Sequence, residues 1–206
     1  MTGTSTAANS SILSTTPKTT TPTTPPFVLP NSLQLIENTR CNHDHHCLRR
    51  CRAARVHHAR IGVGTVIHPK CKIISVGGGP ILIGRNNICE EGVTIINNSK
   101  NGMVIGDDNL FEVNCYVASK YIGHHNVIEP KAVIGENTTI GDNCVLGAMC
   151  TTAPDEVIPS NTVIFGSDNQ RRSQRPEAAE ERSALHQRHL DYLRETLPKY
   201  NHVKRL

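Results

Sequence analysis

"AVIGENTTIGDNCVLG", residues 132–147, repeats an aliphatic–glycine pair every six positions: Ile134-Gly135, Ile140-Gly141 and Leu146-Gly147. A helix asks for apolar residues every three or four positions, and a half-buried strand every two. A period of six fits neither alone. It fits a short strand followed by a turn. The first and fifth residues of each hexad then face the same side, because alternate residues of an extended chain share a face.

The phase extends well beyond this stretch. With Ile61 as a first position, the series runs Ile61, Ile67, Ile73; Ile83, Cys89, Ile95; Ile105, Phe111, Val117. It continues Ile122, Ile128, Ile134, Ile140, Leu146, Thr152, Ile158 and Ile164. Fifth positions are small or medium-sized: Thr65, Cys71, Val93, Cys115, Ala132, Thr138, Cys144, Cys150 and Thr162. Between strands lie "GRNN", "GDDN", "GHHN", "GEN" and "GDN". These residues tolerate left-handed φ and bond their own backbone. Three strands close a triangular coil of eighteen residues, so Ile122, Ile140 and Ile158 should stack in one ladder. About six such coils make an all-β parallel β-helix over residues 61–168, each coil about 4.8 Å from the next.

Interruptions of the period are informative. Ile61 to Ile83 and Ile83 to Ile105 each span 22 residues, one coil plus four. Both excesses follow the third hexad. The loops "SVGGGP" and "NNSKNG" should therefore leave the same corner, where a solenoid often binds. Val117 to Ile122 is five residues, a deletion of one.

Composition agrees with such a core. Aromatic residues are 3% of the chain and Trp is absent, so packing must rest on Ile, Val and small residues. The net charge of +4 is mildly basic and points to no nucleic acid. No stretch has the apolar length to span a membrane, and no signal-peptide h-region is visible. Five of the eight cysteines, Cys71, Cys89, Cys115, Cys144 and Cys150, occupy inward repeat positions. Buried Cys acts as a small apolar filler, so no catalytic role is expected for them. The set reads as reduced thiols of an intracellular chain.

The flanks differ. Residues 1–39 are rich in Thr, Ser and Pro and read as a disordered tail, with Thr-Pro pairs at Thr16, Thr21 and Thr24 as potential kinase sites. Residues 40–60, "RCNHDHHCLRRCRAARVHHAR", form a basic segment. It sets Cys41, Cys47 and Cys51 beside His43, His45 and His46. Those are zinc-ligand types, but the spacing lacks the paired C-x2-C of common zinc modules. Residues 169–206 read as a linker and a helix. Pro176 suits a first turn, and Glu177, Glu180 and Glu181 suit its positive end. Leu190, Leu193 and Leu197 share one stripe, and Pro198 disfavours continuation. The stripe should fold back along a prism face; the alternative is that, with Tyr192, it docks on a partner.

The repeat resembles the left-handed β-helix hexapeptide superfamily, and the left hand is what that resemblance implies. More specific stretches are "GTVIHPKCKII" (64–74), "GPILIG" (79–84), "IGDDNLFEVNCY" (105–116), "GHHNVIEPKAVIG" (123–135), "CVLGAMCTT" (144–152) and "EVIPSNTVIFGSD" (156–168). With the C-terminal "RRSQRPEAAEER", they resemble the dynactin subunit 6 family from residue 61 onward. That resemblance implies a cytoplasmic, non-enzymatic scaffold of the dynactin pointed-end complex. Its implied partners are dynactin subunit 5, dynactin subunit 4 and the pointed-end actin-related protein, and indirectly cytoplasmic dynein. Candidate partner-binding residues are Phe111, Glu112, Tyr116, Tyr121, Leu190, Tyr192, Leu193 and Leu197. The resemblance also implies one or two earlier coils, of which residues 40–60 supply only the last step, "ARVHHARIG".

The superfamily also contains acyltransferases and γ-class carbonic anhydrases, which work as homotrimers. The anhydrase pattern of three metal-binding histidines maps onto Ala118, His124 and Glu129, where one ligand survives. Three protein ligands are the catalytic zinc norm. His68 is a candidate acyltransferase base without a nameable partner. No catalytic residue, metal site or cofactor is therefore expected.

Overall fold

The computed structural model describes residues 59–68 and 70–200, together with the two-residue strand Gln34–Leu35. The expected tail, the Thr-Pro sites and the Cys41, Cys47, Cys51 set lie outside the described residues. Gln34–Leu35, within the segment read as tail, pairs antiparallel with Arg60 and Ile61.

Among the described residues the hexad becomes a parallel β-solenoid of three sheets, with seven, four and seven strands, each seven including one antiparallel end strand, Gln34–Leu35 or Gln170–Ser173. Register places first positions on first positions. One column runs Ile61, Ile83, Ile105, Ile122, Ile140, Ile158. The second runs Ile67, Cys89, Phe111, Ile128, Leu146, Ile164. The third runs Ile73, Ile95, Val117, Ile134, and beside it Val133 makes a last bridge to Thr151. These side chains fill the prism as one continuous cluster. All five predicted cysteines are buried, free thiols within it.

Turn chemistry follows the sequence. The fourth hexad position has positive φ at Asn86, Asp108, Asn137, Asn143 and Asn161, and also at Lys70, Lys131 and Met149. The fourth positions after Ile73, Ile95 and Val117 lack it, and these are the three corners that carry the insertions or the deletion. There the two predicted loops lie on one corner and stack. Gly79 N–H donates to Ser99 O at 3.2 Å, and Asn97 Nδ2 to Gly79 O at 3.1 Å.

Three fifth positions hold buried asparagines, although "GRNN", "GDDN" and "GHHN" read as turns in the sequence. Asn87, Asn109 and Asn126 stack inside the corner. Asn109 N–H donates to Asn87 Oδ1, Asn126 N–H to Asn109 Oδ1, and Cys144 N–H to Asn126 Oδ1. Each amide fills a small fifth-position slot while meeting backbone groups of the next coil that water cannot reach.

At the far end the chain reverses. Gln170–Ser173 pairs antiparallel with Thr162–Phe165, and the helix Pro176–Tyr200 follows. Its 25 residues span about 37 Å, enough to return along the whole prism. Leu190 and Leu193 close on Val66 and Ile88, with Leu110 and Leu197 around them. The choice of face is physical. That sheet turns outward the unbroken aliphatic row Val66, Ile88, Leu110, Val127, Val145 and Val163, while the outward rows of the others are interrupted, one by Arg60, Tyr121 and Thr139, the other by Lys72, Thr94 and Tyr116. His186 Nε2 and Arg194 fix the axial position through Asn86 O and Oδ1, at 2.8 and 2.9 Å. The helix passes through Pro198, contrary to the expected stop there, and ends at Tyr200.

Candidate partner-binding surface

The eight candidate residues do not form one site. Phe111 is a first-position residue and fully buried, so it packs the prism and cannot meet a partner. Leu190 and Leu193 are spent on Val66 and Ile88, and Leu197 is half-buried beside them. These assignments are corrected: the hydrophobic stripe is satisfied within the chain. The other four face outward on separate surfaces.

Tyr116 stands on the sheet that holds Thr94 and Val133. Tyr121 stands on another, between Val104 and Thr139. Burial, with Asp142 nearby, pushes the Tyr121 hydroxyl pKa up. Tyr192 is exposed on the outer side of the helix, as is Leu185.

Glu112 belongs to a column of its own. Because Cys89, Phe111 and Ile128 stack, the following residues Glu90, Glu112 and Glu129 stack as well. Burial first, then Glu129 and Glu90, raise the Glu112 pKa, against a lowering by His189 from the helix. His68 Nδ1 and His189 Nε2 each lie 3.6 Å from a Glu90 oxygen. Glu129 accepts the Ala148 N–H at 2.9 Å.

The enzyme-like positions are dispersed. Ala118, His124 and Glu129 follow three different columns and so leave three different corners. His124 Nδ1 accepts the Asp107 N–H at 2.9 Å, a structural bond. Among the described residues no group of three or more His, Cys, Asp or Glu side chains is placed to hold a metal. The thiols are suppressed too: burial, then Cys71, pushes Cys115 up to about 12, and burial raises Cys144 and Cys150. The arrangement is suited to presenting rigid, ladder-built surfaces.

Residues 119–154 match the family described as bacterial transferase hexapeptide (six repeats). A dynactin subunit 6 of Xenopus tropicalis is 41% identical over 156 residues, covering 70% of this chain and 75% of the relative. One from Dictyostelium discoideum is 38% identical, covering 71% and 78%. Among solved structures, a hexapeptide transferase family protein from Anaplasma phagocytophilum superposes with a TM-score of 0.65 at 12% identity. It covers 75% of this chain and 90% of that one, a likeness of fold alone.

Proposed function

The chain belongs to the dynactin subunit 6 family, and from that membership we propose that it is a non-catalytic dynactin subunit. In this reading it pairs with dynactin subunit 5 in the pointed-end complex, beside dynactin subunit 4 and the pointed-end actin-related protein. It thereby supports dynein-dependent transport in the cytoplasm. The carrying observation is identity near 40% sustained over about three quarters of relatives from a frog and an amoeba. The dispersal of Ala118, His124 and Glu129 to separate corners and the inward burial of the cysteines favour the same reading over an enzyme. The surfaces left for partners are the stacked corner loops, the coil ends and the two sheets that the helix does not cover.

The test is affinity purification of the tagged full chain at physiological salt, with mass spectrometry of its companions. Recovery of dynactin subunits, subunit 5 above all, is the expected outcome. A homotrimer carrying metal and free of dynactin would overturn the proposal in favour of a hydratase or acyltransferase.

A further inference from the structure

Strand Gln170–Ser173 ends its sheet, and all four of its residues are exposed. Its outer edge faces no other strand among the described residues, so a row of N–H and C=O groups is open to pairing. The side chains decide with what. Arg171, opposite Ile164, forms an ion pair with Glu156 across the coil end. Arg172, opposite Val163, holds its guanidinium 5.7 Å from the Phe165 ring centre. Neither Arg172 nor the exposed Arg175 has a carboxylate within ion-pair reach among the described residues. A third cation, Arg182 of the helix, carries a buried guanidinium nitrogen without a partner.

Two more observations belong to this end. Gln174 is 9% exposed and its N–H donates to Asn161 O at 2.8 Å, yet both polar atoms of its side-chain amide are unpaired and free to take up a bond to an incoming chain. Phe165, 39% exposed under the Arg172 guanidinium, and Val157, 72% exposed and next in sequence to Glu156, supply apolar surface at this end.

We propose that Gln170–Ser173 is a docking edge for an acidic extended segment of a partner protein, added as a further strand. Main-chain bonds supply the attachment and Arg172 and Arg175 the selection. A second copy of this chain is disfavoured, because like charges would oppose across the new pair. The chain's own N-terminal residues are a poor occupant as well. Residues 1–58 carry Glu37 and Asp44 against Lys18, Arg40, Arg49, Arg50, Arg52 and Arg55. The proposal stands independently of dynactin membership, since its test uses the purified chain.

The experiment is hydrogen–deuterium exchange on the full chain at pH 7 and low salt. The probes are two synthetic peptides, one alternating Glu and Val, the other alternating Lys and Val. The acidic peptide is expected to slow exchange across 170–173 by about tenfold or more, and the basic peptide to leave it unchanged. In the double variant Arg172→Glu, Arg175→Glu the preference should invert. The wild-type comparison stands alone if that variant misfolds. No slowing at millimolar acidic peptide, equal slowing by both peptides, or protection confined elsewhere would each overturn the proposal.

Discussion

Asn109 gives two hydrogen bonds to one atom of Asn87: its side-chain Nδ2 and its backbone N–H each lie 3.0 Å from Asn87 Oδ1. The same Nδ2 donates to Gly123 O, and Asn109 Oδ1 accepts the Asn126 N–H. One side chain thus links three consecutive coils where no water reaches.

Asn109→Ala would strip partners from Asn126 N–H and Gly123 O and open a small cavity. A loss of about 2–4 kcal/mol is expected, since stranded buried groups cost their full desolvation. Urea unfolding measures it. Asn98→Ala, which removes only an exposed bond to Glu136, should change stability by less than about 0.5 kcal/mol. Equal midpoints for the two variants would show the ladder to be energetically idle.

Where a glycine follows a first position, it answers to packing between coils, not to turn geometry. A Cβ on Gly84 would stand 2.5 Å from Gly106 O and 2.7 Å from its carbonyl carbon, both backbone of the next coil. Gly84→Ala must therefore push two coils apart, and failure to fold as a soluble chain is expected. Gly78 is the contrast: φ is +83°, but nothing lies within 4 Å of a Cβ there. Gly78→Ala should cost about 1–2 kcal/mol of backbone strain and leave the circular dichroism spectrum unchanged.

What the sequence showed depended on whether a residue's role was periodic or relational. The columns of Ile122, Ile140 and Ile158 and the buried cysteines were legible, because phase alone dictates them. The shared corner of the two loops was legible by counting. Phe111 belongs to the distinctive motif "FEVNCY", which made it a contact candidate, but its first-position phase points it inward and it is fully buried. Asn87, Asn109 and Asn126 look like turn asparagines, and only their fifth-position phase marks them as interior. The leucine stripe announced a buried face without saying what buries it. That needed the row Val66, Ile88 and Leu110, which becomes a row only once coils stack. The edge strand Gln170–Ser173 had no signal in the hexad, since it lies past the last repeat.

Helix docking gives a graded prediction. Leu190 is fully buried against Val66 and Ile88, whereas Leu185 is 65% exposed. Leu190→Ala should cost about 2–5 kcal/mol and Leu185→Ala almost nothing. Limited trypsin digestion should then cut at Arg188 and Arg194 much faster in the first variant. Unchanged cleavage would mean that His186 and Arg194, through Asn86, hold the helix without the leucines.

The thiols make stability sensitive to alkali. Burial raises Cys115 to about 12, above the value of an unfolded thiol, so the unfolded chain ionises first. That contribution is fully present below the unfolded pKa and falls as pH rises from about 9 toward 12. Denaturation midpoints should decline across this window, and less steeply in Cys115→Ala. Maleimide at pH 7, mapped by mass spectrometry, should leave Cys71, Cys89, Cys115, Cys144 and Cys150 unmodified until urea unfolds the chain.

The column Glu90, Glu112, Glu129 sets like charges one coil apart, and Glu112 sits at its centre. Burial and both neighbours raise its pKa above 4.5, so folding disfavours its charged form. By linkage, the stability tied to this group is complete below the unfolded value and is lost as pH climbs through the higher folded value. Above the folded value the cost is fully expressed, and the attraction to His189 opposes it. Glu112→Gln keeps the shape and removes the charge. It should raise the melting temperature at pH 7 and have little effect at pH 4, where the carboxyl is largely protonated in the folded chain. Solvent screening keeps the gain small, because the side chain is only half-buried. A lower melting temperature at pH 7 would instead make the Glu112 charge a net support of the docked helix through His189, and the column would then serve as an anchor for that helix.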